Sequence, residues 1–253
     1  MKVEISKHDG SARSTPKVLQ TGLQAIGFSL ARDNRKLIYT RSQLYSNLWM
    51  ASLDPQYPEK SLKTYPLTRG TSSPGWPSFF PNAEKIVFVS QGNVHVMQKD
   101  GSNVEQLIFF DSNCSSPQWS PDSKKIAFIN RGKVLCINTD GTNLRIFENT
   151  QVSTHLTWAP GERILYQRPG NRNFHFLDAD TEMETPLLAD DTKGWIFSPV
   201  YSNDGNHVAV HWNIKGSKAG IWHISLEDQS KRLLQEGLLL PYQWSNDGRW
   251  IYA

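Results

Sequence analysis

The chain is 253 residues long, enough for one large all-β domain or two smaller ones. Hydrophobic residues make up 38% and charged residues 20%, which excludes a disordered tail and leaves a soluble globular protein. Lys and Arg exceed Asp and Glu by only 27 to 24, too little to argue for nucleic acid, and two cysteines exclude a disulfide scaffold or a multi-cysteine zinc site.

In chain order, the opening VEISKHDGSARSTPKVLQ reads as strand Val3–Ser6, a turn at Asp9-Gly10 and a strand near Lys17–Gln20, without the apolar core of a secretory signal. A motif then recurs: an anchor ring, a small polar turn and an apolar run. It is degenerate in SLARDNRKLIYT from Ser29 and clear in SFFPNAEKIVFVS from Ser78 and QWSPDSKKIAFIN from Gln118. A shortened copy, TWAPGERILYQR, begins at Thr157, followed by VYSNDGNHVAVHW from Val200 and QWSNDGRWIYA from Gln243. The first apolar residue after each turn is Leu37, Ile86, Ile126, Ile164, Val208 or Ile251. These markers lie 38 to 49 residues apart, the length of a unit of four short strands.

Second halves follow. Asn93–Gly101 and Lys133–Gly141 are apolar strands ending in Asp-Gly, which predicts a two-residue hairpin turn with positive φ at both central positions. Short apolar segments, Val104–Ile108 and Leu144–Phe147, come next. No segment keeps a 3.6-residue apolar period, so helix is minor. The runs Ile86–Val89 and Ile126–Ile129 are apolar on both faces, as in sheets covered on both sides. Radially stacked sheets supply that cover. The expectation is an all-β, six-bladed β-propeller of four-stranded antiparallel blades, a single domain over residues 1–253. Residues 1–20 complete the blade begun by 243–253, closing the ring by pairing the N- and C-terminal strands and removing two exposed edges.

The run Trp119–Phe128, with Trp119-Ser120-Pro121-Asp122 at its head, resembles the repeat of TolB-like propellers, the PD40 or WD40-like repeat. Tyr201–Gly205 and Trp244–Gly248 match with Asn in place of Pro, and Asp100–Asn103 and Asp140–Asn143 resemble a second family signature. The resemblance covers nearly the whole chain. Such propellers serve as a periplasmic partner of a peptidoglycan-associated lipoprotein, as lids of prolyl-oligopeptidase-like hydrolases, and as sensor regions of bacterial regulators. Ser46–Trp49 and Gly220–Leu226 look most like the sensor group. The resemblance implies a bacterial periplasmic or extracytoplasmic setting.

Motifs for chemistry are absent. There is no Gly-x-Ser-x-Gly elbow, phosphate loop, dinucleotide fingerprint or metal-binding histidine motif, so the expectation is a protein that is not an enzyme and uses no cofactor and no metal. His207 and His211 fall on one strand, about 13 Å apart at the backbone, too far to chelate as a pair. His95 and His175 share a third-strand position with Trp49, Leu135 and Trp222 and read as structural. Cys136 sits in an apolar strand and reads as inert, whereas Cys114 reads as a loop residue open to solvent. Trp119, Trp158 and Trp244 stand at the anchor position with Phe79, Tyr201 and Leu30, where large rings fill the wedge between sheets.

One distributed feature remains. In the propellers this chain resembles, the loops joining second to third strands share a face with the loops between blades. Here they carry Arg41, Arg131, Arg168, Arg172, Lys215 and Lys218, with Tyr45 and Trp212 among them. Lys193 and Trp195 lie in a connection between blades. Converging cations with aromatics draw an acidic peptide, a carboxylate or another anion. The expected function is a non-enzymatic protein- or peptide-binding module, monomeric, with no membrane span and no nucleic acid. Two alternatives are a lid for a peptidase domain outside this chain, and carbohydrate or cell-wall-fragment binding through Trp195, Trp212 and Tyr45.

Overall fold

Antiparallel strands are the regular structure of the computed structural model, which describes residues 25–30, 37–41, 45–52, 63–153, 155–188, 194–213, 218–245 and 247–253. By contacts the chain divides into two compact units, Met1–Tyr45 and Ser46–Ala253. Of the first unit, the described part is a hairpin of β1 (Ala25–Leu30) and β2 (Leu37–Arg41), together with Tyr45. Residues 1–20 lie outside the described residues, and with them the expected pairing of the chain ends.

The second unit begins with a two-stranded sheet, β3 (Trp49–Ser52) and β4 (Lys63–Pro66). Four four-stranded antiparallel sheets follow, each in simple up-and-down order. They are β5 (Gly75–Phe79), β6 (Lys85–Ser90), β7 (Asn93–Gln98) and β8 (Glu105–Ile108); β9 (Cys114–Trp119), β10 (Lys125–Asn130), β11 (Lys133–Asn138) and β12 (Arg145–Phe147). Then come β13 (Leu156–Ala159), β14 (Arg163–Gln167), β15 (Phe174–Asp178) and β16 (Glu184–Pro186); and β17 (Ile196–Tyr201), β18 (His207–Trp212), β19 (Gly220–Ser225) and β20 (Lys231–Glu236). A hairpin of β21 (Gln243–Trp244) and β22 (Ile251–Tyr252) ends the chain.

First strands lie beside one another, β5 by β9, β9 by β13, β13 by β17 and β17 by β21, so each sheet faces the next. The doubly apolar second strands explain the core. Ile126 and Phe128 of β10 pack with Val87 and Val94 of the preceding sheet, while Ala127 and Ile129 pack with Leu156, Trp158 and Tyr166 of the following one. Burying such side chains contributes roughly 1.5–3 kcal/mol each, which is what holds sheet to sheet.

The anchor tryptophans do more than fill space. Trp119 Nε1 donates to the Ser78 carbonyl at 3.2 Å, Trp158 Nε1 to Gln118 at 3.0 Å and Trp244 Nε1 to Val200 at 3.0 Å. Each bond crosses from one sheet to the first strand of its predecessor. Phe79 departs from the pattern. It is exposed and borders a cleft with Leu48, Trp49 and Met50.

Turn chemistry follows two rules. After three of the first strands, β9, β17 and β21, a serine and an aspartate clamp the loop: Ser120 Oγ donates to Asp122, which also accepts from the Lys124 N–H, and the Lys125 N–H donates back to Ser120 Oγ. Ser202–Asp204 and Ser245–Asp247 repeat the arrangement. The Asp-Gly segments differ from expectation. Gly101 and Gly141 have positive φ, but Asp100 and Asp140 do not; each aspartate instead accepts from the backbone N–H and hydroxyl of the residue two places on. An acceptor at that position favours a longer turn over the mirror-image hairpin. The two-residue hairpins lie elsewhere, at Gln91-Gly92 and Arg131-Gly132, where both residues have positive φ.

Cys114 corrects another expectation. It opens β9, is buried, and accepts from Asn130 Nδ2 at 3.4 Å, so it is a core thiol and not a loop residue.

Candidate functional site

The turns between second and third strands and the connections from each sheet to the next emerge at the same end of the sheets, because the strands alternate in direction. This end carries most of the residues singled out from sequence, and their environments differ.

Three of the cations are neutralised locally. Arg131 sits in its hairpin turn at φ +48° and pairs with Asp111 at 2.7 Å. Arg168 pairs with Glu184, which also accepts from the Tyr166 hydroxyl, and the Arg168 guanidinium donates to that hydroxyl at 3.4 Å. Burial, with the carboxylate beside it, pushes the Tyr166 phenol up to about 12. Lys218 pairs with Glu236 at 2.7 Å. Among the described residues of the expected positive rim, Arg131, Arg168 and Lys218 are therefore matched by carboxylates that a count of loop cations does not reveal.

Arg172 belongs to a different cluster. Its guanidinium lies over the Trp195 ring at 5.9 Å, and its carbonyl accepts from the Ile196 N–H. Trp195 lies nearly parallel to Phe197, 6.4 Å away with 18° between planes, because residues two apart on a strand share a face. Phe197 in turn meets His211 at 6.0 Å, and the His211 Nδ1 lies 2.7 Å from the Leu239 carbonyl. Asn213 accepts from the Trp195 N–H at 2.6 Å, fixing the start of β17. Beside this cluster the connection Gly237–Tyr242 exposes Leu238, Leu239, Leu240 and Tyr242, with Leu238 at 93%.

The cause of this layout is a β-bulge in the first strands. Pairing shifts between Gly75 and Ser78, between Ala127 and Ile129 opposite β9, and between Phe197 and Val200. At each, the residue with positive φ directly precedes a proline: Trp76 (+55°), Ser116 (+49°) and Ser198 (+48°). Proline has no N–H for the ladder, so the strand bulges there. β13 has no proline and keeps an unbroken register. A left-handed conformation at a residue as large as tryptophan costs about 1–2 kcal/mol. Its result is a half-exposed Trp76 ring whose edge meets His155, 6.5 Å away, just before β13. Burial lowers the pKa of His155.

The other sequence-predicted residues fall as follows. Trp212 is a correction: it ends β18 at 1% exposure, against Trp222 and inside the core, and so presents no surface to a partner. An apolar strand continuing one residue further than the sequence pattern suggested accounts for it. Tyr45 is exposed at 61%, in the first unit. Arg41 ends β2. Lys193 and Lys215 lie outside the described residues. Sequence reading missed Trp76, Phe197 and His211; the recurring X-Pro in first strands was the available signal. Among the described residues no three potential metal-ligating side chains gather, and no helix is long and apolar enough to cross a membrane.

Comparison with solved structures decides the fold. TolB from Acinetobacter baumannii superposes with a TM-score of 0.63 at 17% identity, over 74% of this chain and 50% of that one. The fold is a TolB-like β-propeller. A putative TolB from Agrobacterium tumefaciens gives 0.60 at 17% identity, over 71% of this propeller and 68% of that chain. A structure titled a nidogen/laminin complex gives 0.59 at 12% identity over 78% and 77%, and an oligogalacturonate lyase in complex with manganese gives 0.54 at 14% over 83% and 64%. The chain thus spans half the length of the Acinetobacter TolB. No protein-family model matches the sequence, and no curated protein sequence matches it significantly.

Proposed function

We propose that this propeller is a non-enzymatic docking module of six blades, in which residues 1–20 complete the sheet of β21 and β22, and that its loop-bearing end receives a protein or peptide. The observation carrying the reading is the Arg172–Trp195–Phe197–His211 cluster with the exposed Leu238–Leu240 beside it. Part-exposed Trp195 and exposed Phe197 beside the exposed leucines, with Arg172 at the edge and His211 buried beneath, have the composition of a recognition patch. A partner carboxylate at Arg131 or Arg168 would have to displace Asp111 or Glu184. The fit to a nidogen/laminin complex structure supports use of this architecture between proteins. A ligand with an apolar anchor matches the patch.

The test is selection from a random peptide library with the full chain, followed by affinity measurement on variants. Trp195→Ala combined with Phe197→Ala is expected to weaken selected peptides at least tenfold, while Arg131→Glu changes little. Binding that ignores the Trp195–Phe197 change, or falls only with Arg131 and Arg168, would overturn the patch. Recovery of neutral oligosaccharide ligands and no peptides would favour the carbohydrate reading through Trp195.

A further inference from the structure

Away from the loop face, the sheets bring together two histidines that the sequence pattern does not pair. His207 opens β18, and His223 lies on the neighbouring β19, where it pairs with Ala209. Their ring centroids are 4.8 Å apart with 36° between planes. His211, four residues from His207, turns instead to Phe197 and the Leu239 carbonyl. The His207 Nδ1 is buried with no hydrogen-bond partner. Both rings border a cleft of about 770 Å³ between β18–β20 and the β21–β22 hairpin, with Leu234, Trp244 and Trp250 along its walls.

We propose that His207 and His223 form a two-imidazole site for one divalent transition metal of the zinc, nickel or copper kind. The ring spacing is compatible with a shared metal. Metal–nitrogen bonds of about 2.0–2.1 Å, with the ring centre about 1.2 Å further on, place two imidazoles on one metal at centroid separations of about 4.5–5.3 Å for bond angles near 90–110°. The observed 4.8 Å falls inside that window. Imidazole nitrogen suits these metals and not the oxygen-seeking calcium or magnesium. A buried ring nitrogen without a partner is a cost to the fold that a metal bond would remove.

The charges around the pair are mixed. Asp204 interacts electrostatically with His207 and Asp228 with His223, both favouring a cation. Arg232 acts on His223 in the opposite sense, and Arg249 borders the cleft but is held by Asp247 at 2.6 Å. No third protein ligand is gathered among the described residues, so the remaining positions open into the cleft for water or for a donor atom on an incoming molecule. An open position of this kind is what separates a ligand-presenting metal site from a purely structural one.

The test uses the full chain and ZnCl₂ alone, then NiCl₂, by isothermal titration in a non-chelating buffer. One saturable site is expected. His207→Gln and His223→Gln should each weaken it by roughly tenfold or more, and His155→Gln should leave it unchanged. Zinc should also raise the melting temperature of the parent chain and of neither cleft variant, since only a ligand of the folded state shifts that equilibrium. If the glutamine variants fail to fold, copper quenching supplies a second measurement. Trp244 lies 6.3 Å from His223 and Trp250 borders the same cleft, so quenching in the parent should fall in Trp244→Phe and fall further when Trp250→Phe is added. Absence of a saturable site, undiminished binding in both glutamine variants, or quenching unchanged when Trp244 and Trp250 are both phenylalanine would overturn the assignment.

Discussion

Trp158 Nε1 donates to the backbone carbonyl of Gln118 at 3.0 Å, tying one sheet to the first strand of the sheet before it. Trp119 and Trp244 make the same bond to their own predecessors. Trp158→Phe keeps most of the ring volume and removes the donor, so a loss of about 1–2 kcal/mol is expected, and Trp158→Ala should cost about 3–5 kcal/mol. Urea unfolding at fixed temperature measures both. An unchanged midpoint for Trp158→Phe would mean the bond is incidental to the packing.

Arg131 and Arg168 should behave differently on truncation. Arg131 and Asp111 are both well exposed, and Arg131→Ala should alter stability by no more than about 1 kcal/mol, an effect that salt screens. Glu184 is only 19% exposed and also holds the Tyr166 hydroxyl, so Arg168→Ala should cost about 1–3 kcal/mol. Equal losses at the two positions in paired denaturation curves would contradict this environment-based ranking.

Stability should fall in acid through the turn aspartates. Hydrogen bonds from the Ser245 hydroxyl and the Arg249 backbone hold Asp247 down to about 2, and Ser225 and Ser230 do the same for Asp228. Each folded-state value lies below the unfolded one. Their contribution is therefore complete above about pH 5 and lost progressively as pH drops through about 2. Unfolding midpoints taken across that interval should decline, with a shallower slope in Asp247→Asn. A slope identical to the parent's would show that the clamp is not linked to folding.

Neither thiol should react in the native protein. Burial raises Cys114, and burial raises Cys136 to about 11, so both remain protonated and sheltered at pH 8. A chromogenic disulfide reagent should modify no cysteine until denaturant is added, then two. Fast modification of Cys114 without denaturant would restore the loop placement that its DSNCSSP context suggests.

Much of the fold was legible in sequence because each sheet repeats the same physical problem. The doubly apolar Ile126–Ile129 run, the Ser120–Asp122 turn and the Trp119 anchor are each set by residues close in the chain, and the structure gives each a contact that explains it. The loop face was less legible. Arg131 and Arg168 looked like available charge, yet Asp111 and Glu184 reach them from positions 20 and 16 residues away in sequence. Trp212 looked like a loop residue because the end of an apolar strand is hard to place to within one residue. The His207–His223 contact depends on strand pairing, which residue spacing along one strand does not disclose.

The tryptophan-to-carbonyl bonds all fall on first strands, whereas last strands such as β20 are mostly exposed. The assembly is stitched like pages at a spine, with the outer margins left loose. Thermal breathing should therefore riffle those margins while the binding holds, and amide exchange would be quickest along β20.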